Sequence, residues 1–188
     1  TDTTTYSDRK NVTEETDEDG IKTTYTYNDN APKNLKDYPT GCVMKNAEGN
    51  PISKITYTYD GNGNLILQKN ALGEEVAFSY DALNRMTEIT LPTGAVRKFA
   101  YNATGKLTQI VDENGNETRY TYSPNGNLTE VIDAMGGVTG YDYDVMGNLI
   151  QVTRSGKDAE DEITRYEWNR NDQIIKMIDP LGSEESYI

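Results

Sequence analysis

Asp60, Asn62 and Asn64 stand two residues apart, the spacing of the first ligands in a calcium-binding loop. The rest of that loop is missing. Ala71 occupies the place of the closing Glu, and the Gly is misplaced. Asp17-Glu18-Asp19 and Asp158-Ala159-Glu160-Asp161-Glu162 gather acids without ligand spacing. The chain has no histidine, which removes Ser-His-Asp and Cys-His nucleophilic catalysis and every His-ligated metal site. Cys42 is the single cysteine, so it forms no internal disulfide and lacks a base of the usual kind. Paired carboxylates could serve a glycosidase, but among 31 acidic residues the sequence singles out no pair. The expectation is a chain without catalytic, cofactor or metal residues, and not an enzyme.

The same Asp and Asn residues recur in a different role. Asp60-Gly61-Asn62-Gly63 is matched by Asn102-Ala103-Thr104-Gly105, Ser123-Pro124-Asn125-Gly126 and Asp144-Val145-Met146-Gly147. A second series comprises Asn70-Ala71-Leu72-Gly73, Asp112-Glu113-Asn114-Gly115, Asp133-Ala134-Met135-Gly136 and Asp179-Pro180-Leu181-Gly182, with Gly94 closing its own copy. This is type I turn chemistry. An Asx side chain at the first position accepts a backbone N–H, Pro fits the second, and the last residue takes positive φ. Such a turn closes a hairpin with a bulge. Asn84 and Asp172 replace Gly in the first series and tolerate left-handed φ; Lys10 fits poorly.

The turns alternate every ten or eleven residues, which leaves strands of about six. Aromatic residues mark the first strand of each unit. Tyr59, Tyr80, Tyr101, Tyr122 and Tyr143 are spaced by 21. Tyr57, Tyr120, Tyr141 and Tyr166 stand two residues before a second aromatic, as Tyr166 stands before Trp168, so each pair shares one face of its strand. Sixteen of the 17 aromatics fall in these two columns, and only Tyr38 lies outside. The second strand carries Leu65, Met86, Leu107, Leu128, Leu149 and Ile174, then Ile89, Ile110, Val131, Val152 and Met177 three residues further on. A spacing of three breaks strict alternation and predicts a bulge near the turn. The fold class is therefore all-β: an antiparallel meander of at least sixteen strands, with Leu, Ile or Val inserted between successive aromatics. If the columns are fully buried, truncating Tyr101 or Tyr122 to Ala is expected to cost roughly 3–5 kcal/mol.

The phrase Tyr57-Thr58-Tyr59-Asp60-Gly61-Asn62-Gly63-Asn64-Leu65, with Asp179-Pro180-Leu181-Gly182, resembles the YD repeat of the Rhs family. That family includes bacterial Rhs and wall-associated toxins, B/C components of insecticidal toxin complexes, and teneurins. The resemblance covers nearly the whole chain. It implies a spiralling β-sheet strip that builds part of a hollow shell or stalk around a C-terminal effector, in a secreted or cell-surface, bacterial protein. Its partners would be neighbouring repeats and that effector. The competing class is a binding module that attaches to a surface glycan or protein.

Residues 1–188 are read as one array of eight repeats plus the start of a ninth, with insertions at about 28–48 and 155–162. Both insertions are candidate recognition loops, and Tyr38 is the candidate binding aromatic. Net charge of -13 opposes nucleic acid as a partner, and no apolar run is long enough to span a membrane as a helix. Asn-x-Thr sequons at Asn11, Asn102, Asn116 and Asn127 arise from turn chemistry. The chain opens and closes inside strand-like stretches. It therefore reads as a piece of a longer protein whose edge strands, near Tyr6 and Tyr187, favour self-association.

Replacing Gly115 with Val should destabilise more than replacing Asn84 with Gly, because a β-branched side chain opposes positive φ. Thermal melts of the two variants check this, and equal losses would contradict the turn assignment.

Overall fold

The computed structural model describes residues 2–29, 31–156 and 160–187. Among them are seventeen strands and no helix. The chain divides into two units, Thr1–Arg97 and Lys98–Ile188. The first holds β1 (Thr3–Tyr6), β2 (Val12–Thr16), β3 (Lys22–Tyr27), β4 (Pro39–Lys45), β5 (Pro51–Tyr59), β6 (Leu65–Asn70), β7 (Glu75–Tyr80) and β8 (Met86–Thr90). β9 (Val96–Tyr101) crosses the boundary, and its pairing with the next strand begins at Lys98. The second unit continues with β10 (Leu107–Val111), β11 (Glu117–Tyr122), β12 (Leu128–Ile132), β13 (Val138–Tyr143), β14 (Leu149–Ser155), β15 (Glu162–Trp168), β16 (Ile174–Ile178) and β17 (Glu184–Ser186). Within each unit, every strand pairs antiparallel with its neighbour in sequence.

The turns have the expected chemistry. The Asp60 N–H donates to the Asn64 carbonyl at 2.9 Å, and the Gly63 N–H donates to the Asp60 carbonyl at 3.1 Å. The Asp60 Oδ1 then accepts from the N–H groups of Asn62 and Asn64, both at 2.9 Å. The closing residue is left-handed: φ is 84° at Gly115, where an added Cβ would meet nothing, so only backbone conformation demands Gly there. Asn84, Asp172 and even Lys10 hold the same conformation, at φ of 60°, 56° and 65°.

The bulge lies where the Leu spacing puts it. In β11–β12, Thr121 faces Glu130 while Tyr122 faces Leu128, so Thr129 is extra. That shift returns Leu128 and Val131 to one face, opposite Tyr122 and Tyr120. The same pairing recurs as Phe78 with Ile89, Phe99 with Ile110, Tyr141 with Val152 and Tyr166 with Met177. Two early repeats depart from it, with Gln68 opposite Tyr57 and Cys42 opposite Tyr25.

The aromatic columns are half-buried, not sealed. Cys42 and Val152 are the only buried hydrophobic residues among those described. Tyr101 and Tyr122 are both of intermediate exposure. The cost derived for a fully buried aromatic is therefore too high for Tyr101 and Tyr122.

The first insertion is not a simple loop. Of the eleven residues added between Tyr27 and Tyr59, six lengthen the connection before Pro39 and five lengthen β4 and β5. The excursion is thus 28–38, and most of 39–48 is ordinary strand and turn. In the second insertion, Lys157, Asp158 and Ala159 lie outside the described residues, and with them part of the acidic run.

A further bond recurs between repeats. The hydroxyl of Tyr27 donates to the Val12 carbonyl at 2.7 Å, Tyr80 to Leu65 at 3.0 Å and Tyr122 to Leu107 at 2.9 Å. Trp168 uses its Nε1–H in the same way on Leu149, at 2.8 Å. The registered pairing of β10 with β11 stops at Gln109 and Arg119, short of Leu107. The Leu107 carbonyl lies beyond the ladder, and the tyrosine hydroxyl supplies its donor.

Tyr122→Phe should therefore cost about 1 kcal/mol, the net worth of one hydrogen bond. Tyr122→Ala should cost about 2–3 kcal/mol, below the range for a fully buried aromatic. Denaturant midpoints at constant slope measure both; a Phe variant as stable as the parent would show that the hydroxyl contributes nothing.

Candidate functional surface

Within each unit, tips of the first turn series carry polar side chains that reach a neighbouring tip. Asn64 Nδ2 donates to Asp60 Oδ2 at 2.9 Å and to Asn84 Oδ1, one repeat on, at 2.8 Å. Asn62 Nδ2 also donates to Asn84 Oδ1, at 3.1 Å. In the second unit, Asn148 Nδ2 donates to Asp172 Oδ1 at 3.0 Å. Asn84 and Asp172 do more than tolerate positive φ: each accepts hydrogen bonds from the preceding tip. Sequence reasoning missed this role. The available signal was that both follow, by about one repeat, a tip bearing Asn at its fifth position.

These bonds make the turn carboxyls more acidic. The Asn64 side chain and backbone N–H groups hold the Asp60 carboxyl below its ordinary value. The Arg85 side chain, at 2.6 Å, does so first for Asp81, followed by backbone N–H groups. The Asn148 N–H and side chain do the same for Asp144. Each carboxylate is thus committed to its own turn. Asp17 Oδ1 likewise accepts from the N–H groups of Asp19 and Ile21. Among the described residues, no three His, Cys, Asp or Glu side chains are gathered so as to hold a metal ion.

The aromatic columns offer bulk more than reactivity. Burial, and then the Cys42 thiol at 3.6 Å, pushes the Tyr57 hydroxyl up to about 12. It stays protonated at neutral pH and gives the buried Cys42 no proton acceptor. Burial also raises Tyr59, Tyr80 and Tyr143.

Asp29 and residues 31–38 lie against neighbouring turns of the first unit. Arg9 Nη2 meets Asp29 Oδ1 at 2.6 Å, and Asn11 Nδ2 donates to Asp37 Oδ1 at 3.0 Å. On the other side Asn34 Nδ2 donates to the Gly61 carbonyl at 2.9 Å. Tyr38 lies 5.1 Å from the Tyr59 ring, centroid to centroid, and a side chain at Gly63 would meet it at 3.1 Å. Gly63 therefore serves close approach as well as its turn. Tyr38 is 40% exposed, and one flank of its ring is already used inside the chain. The remaining glycines of both turn series close their turns at positive φ, and the two aromatics of a pair share one face of their strand. Apolar tips are the most exposed large side chains: Leu72 and Leu83 in the first unit, Met135, Val145, Met146 and Leu181 in the second.

A family model described as Teneurin YD-shell matches residues 3–138, and one described as RHS Repeat matches residues 122–159. No curated protein sequence matches the chain. Among solved structures, TcdB2-TccC3 without its hypervariable C-terminal region is similar at a TM-score of 0.57 and 14% identity, over 95% of this chain and 11% of that one. The Photorhabdus luminescens Tc holotoxin pore is similar at 0.54 and 20% identity, over 94% and 11%. TcdB2-TccC3-Cdc42 gives the same values. These identities establish the fold, and the chain spans about a tenth of the length of those structures, 11%.

Asp60, Asp81 and Asp144 release protons more readily when folded than when unfolded. Their stabilising contribution is complete above the ordinary value of 3.8 and is lost as pH falls through their lower folded values. Melting temperature should therefore fall below that pH. Asp81→Asn should start lower and lose less on acidification. Thermal melts across a pH series test this, and identical acid slopes would remove Asp81 from the account.

Proposed function

The chain belongs to the Teneurin YD-shell family, and as a segment of such a shell, we propose, it helps to wall off or present a C-terminal effector of a secreted or cell-surface bacterial protein. The observation that carries this reading is the recurring link between repeats. Within each unit, each repeat meets the next through a backbone ladder, and at Tyr27, Tyr80, Tyr122 and Trp168 a hydroxyl or ring N–H closes the carbonyl left at the bulge. A wall needs such repetition, because each course must accept the next without a special end. Two structural neighbours, one named a Tc holotoxin pore and one prepared without a hypervariable C-terminal region, support an effector-enclosing context.

Adhesion to a glycan or protein is the second reading. Loop 28–38 favours it, since it departs from the repeat and leaves part of Tyr38 exposed.

Deleting residues 102–122 removes one 21-residue unit in register. A wall segment should still fold, with a shorter ladder, and should show no saturable binding on glycan and protein panels. Circular dichroism and panel binding give the two readouts. Saturable binding that disappears in Tyr38→Ala would replace the wall reading with adhesion.

A further inference from the structure

Three Asn-Gly pairs lie in these turns: Asn62-Gly63, Asn114-Gly115 and Asn125-Gly126. Asn-Gly is the sequence most open to spontaneous cyclisation, because Gly puts no side chain in the path of its own nitrogen. The turn restrains all three alike. The following Gly N–H donates to the first residue's carbonyl at 3.1 Å for Gly63, 3.0 Å for Gly115 and 2.8 Å for Gly126. All three Asn residues are exposed. Their side-chain amides differ. Asn62 Nδ2 is held by Asn84 Oδ1, whereas the amides of Asn114 and Asn125 donate to no group among the described residues.

We propose that Asn114 and Asn125 are modification sites for spontaneous deamidation, and that Asn84 protects Asn62. In the reaction the Gly nitrogen loses its proton and bonds to the Asn Cγ. The Cγ–Nδ2 bond breaks, ammonia leaves, and a cyclic imide remains. Water opens either imide bond, giving aspartate or isoaspartate. Water is the only co-reactant. Each event adds a negative charge to a chain already at -13, and the isoaspartate product also lengthens the backbone inside the turn.

The test is peptide mapping by mass spectrometry after incubation of the folded chain at mildly alkaline pH, with enzymatic methylation to detect isoaspartate. Asn114 and Asn125 should convert about fivefold faster than Asn62, the factor for one hydrogen bond of ordinary net strength. Asn84→Gly keeps the left-handed residue and removes the acceptor, so it should raise the Asn62 rate toward that of Asn114. In denaturant the three rates should converge. Equal rates in the folded parent, an unchanged Asn62 rate in Asn84→Gly, or rates that stay apart in denaturant would each overturn the proposal.

Discussion

One stranded carbonyl per repeat sets the terms for this fold. In the hairpins of the first turn series, a bulge follows the turn in the next strand. The bulge carries the first residue of that strand out of the ladder with the next hairpin, so a backbone oxygen needs a donor. At Tyr27, Tyr80, Tyr122 and Trp168 the hydroxyl or the Nε1–H supplies it from the following repeat. Turn, bulge, aromatic slot and repeat spacing are therefore one interlocked requirement. Phenylalanine is accepted in the first aromatic column, at Phe78 and Phe99, which faces Ile89 and Ile110 and needs no donor. The second column keeps tyrosine or tryptophan.

The packing that results is shared thinly over many repeats. With two hydrophobic residues buried among those described, neither unit rests on a deep core. Cross-strand aromatic–aliphatic pairs contribute about 0.2–1 kcal/mol each, and their number compensates for their size. Stability is then a sum of similar local terms, as expected where a repeat touches chiefly its neighbours. An acidic surface is compatible with this arrangement because the carboxylates that head the turns are satisfied by their own backbone.

Much of this was legible in the sequence because turn chemistry and two-residue alternation are local. Asx at the head of a turn, Gly at its close, and a three-residue Leu-to-Val spacing are enough to predict the hairpins and the bulge. What stayed hidden depends on neighbours in space. Nothing in Asn84 or Asp172 alone reveals the amide that each accepts from the preceding tip. The half-burial of Tyr101 and Tyr122 was also out of reach, since alternation tells which face a ring is on but not what covers it. The insertion before Tyr59 was visible as an excess of residues, yet its division between loop 28–38 and longer strands was not. Tyr38 looked free in the sequence because its partner, Tyr59, lies 21 positions away.

The pairing of each strand with its sequence neighbour also fixes how a unit responds to force. Tension applied along the chain loads the end ladder first and parts its hydrogen bonds one after another, as in opening a zipper, instead of shearing several strands together. The early hairpins differ because loop 28–38 is fastened to Arg9 and Asn11 on one side and to Gly61 and Tyr59 on the other. There the zipper has a stop: β2 to β5 cannot peel away singly until that fastening breaks.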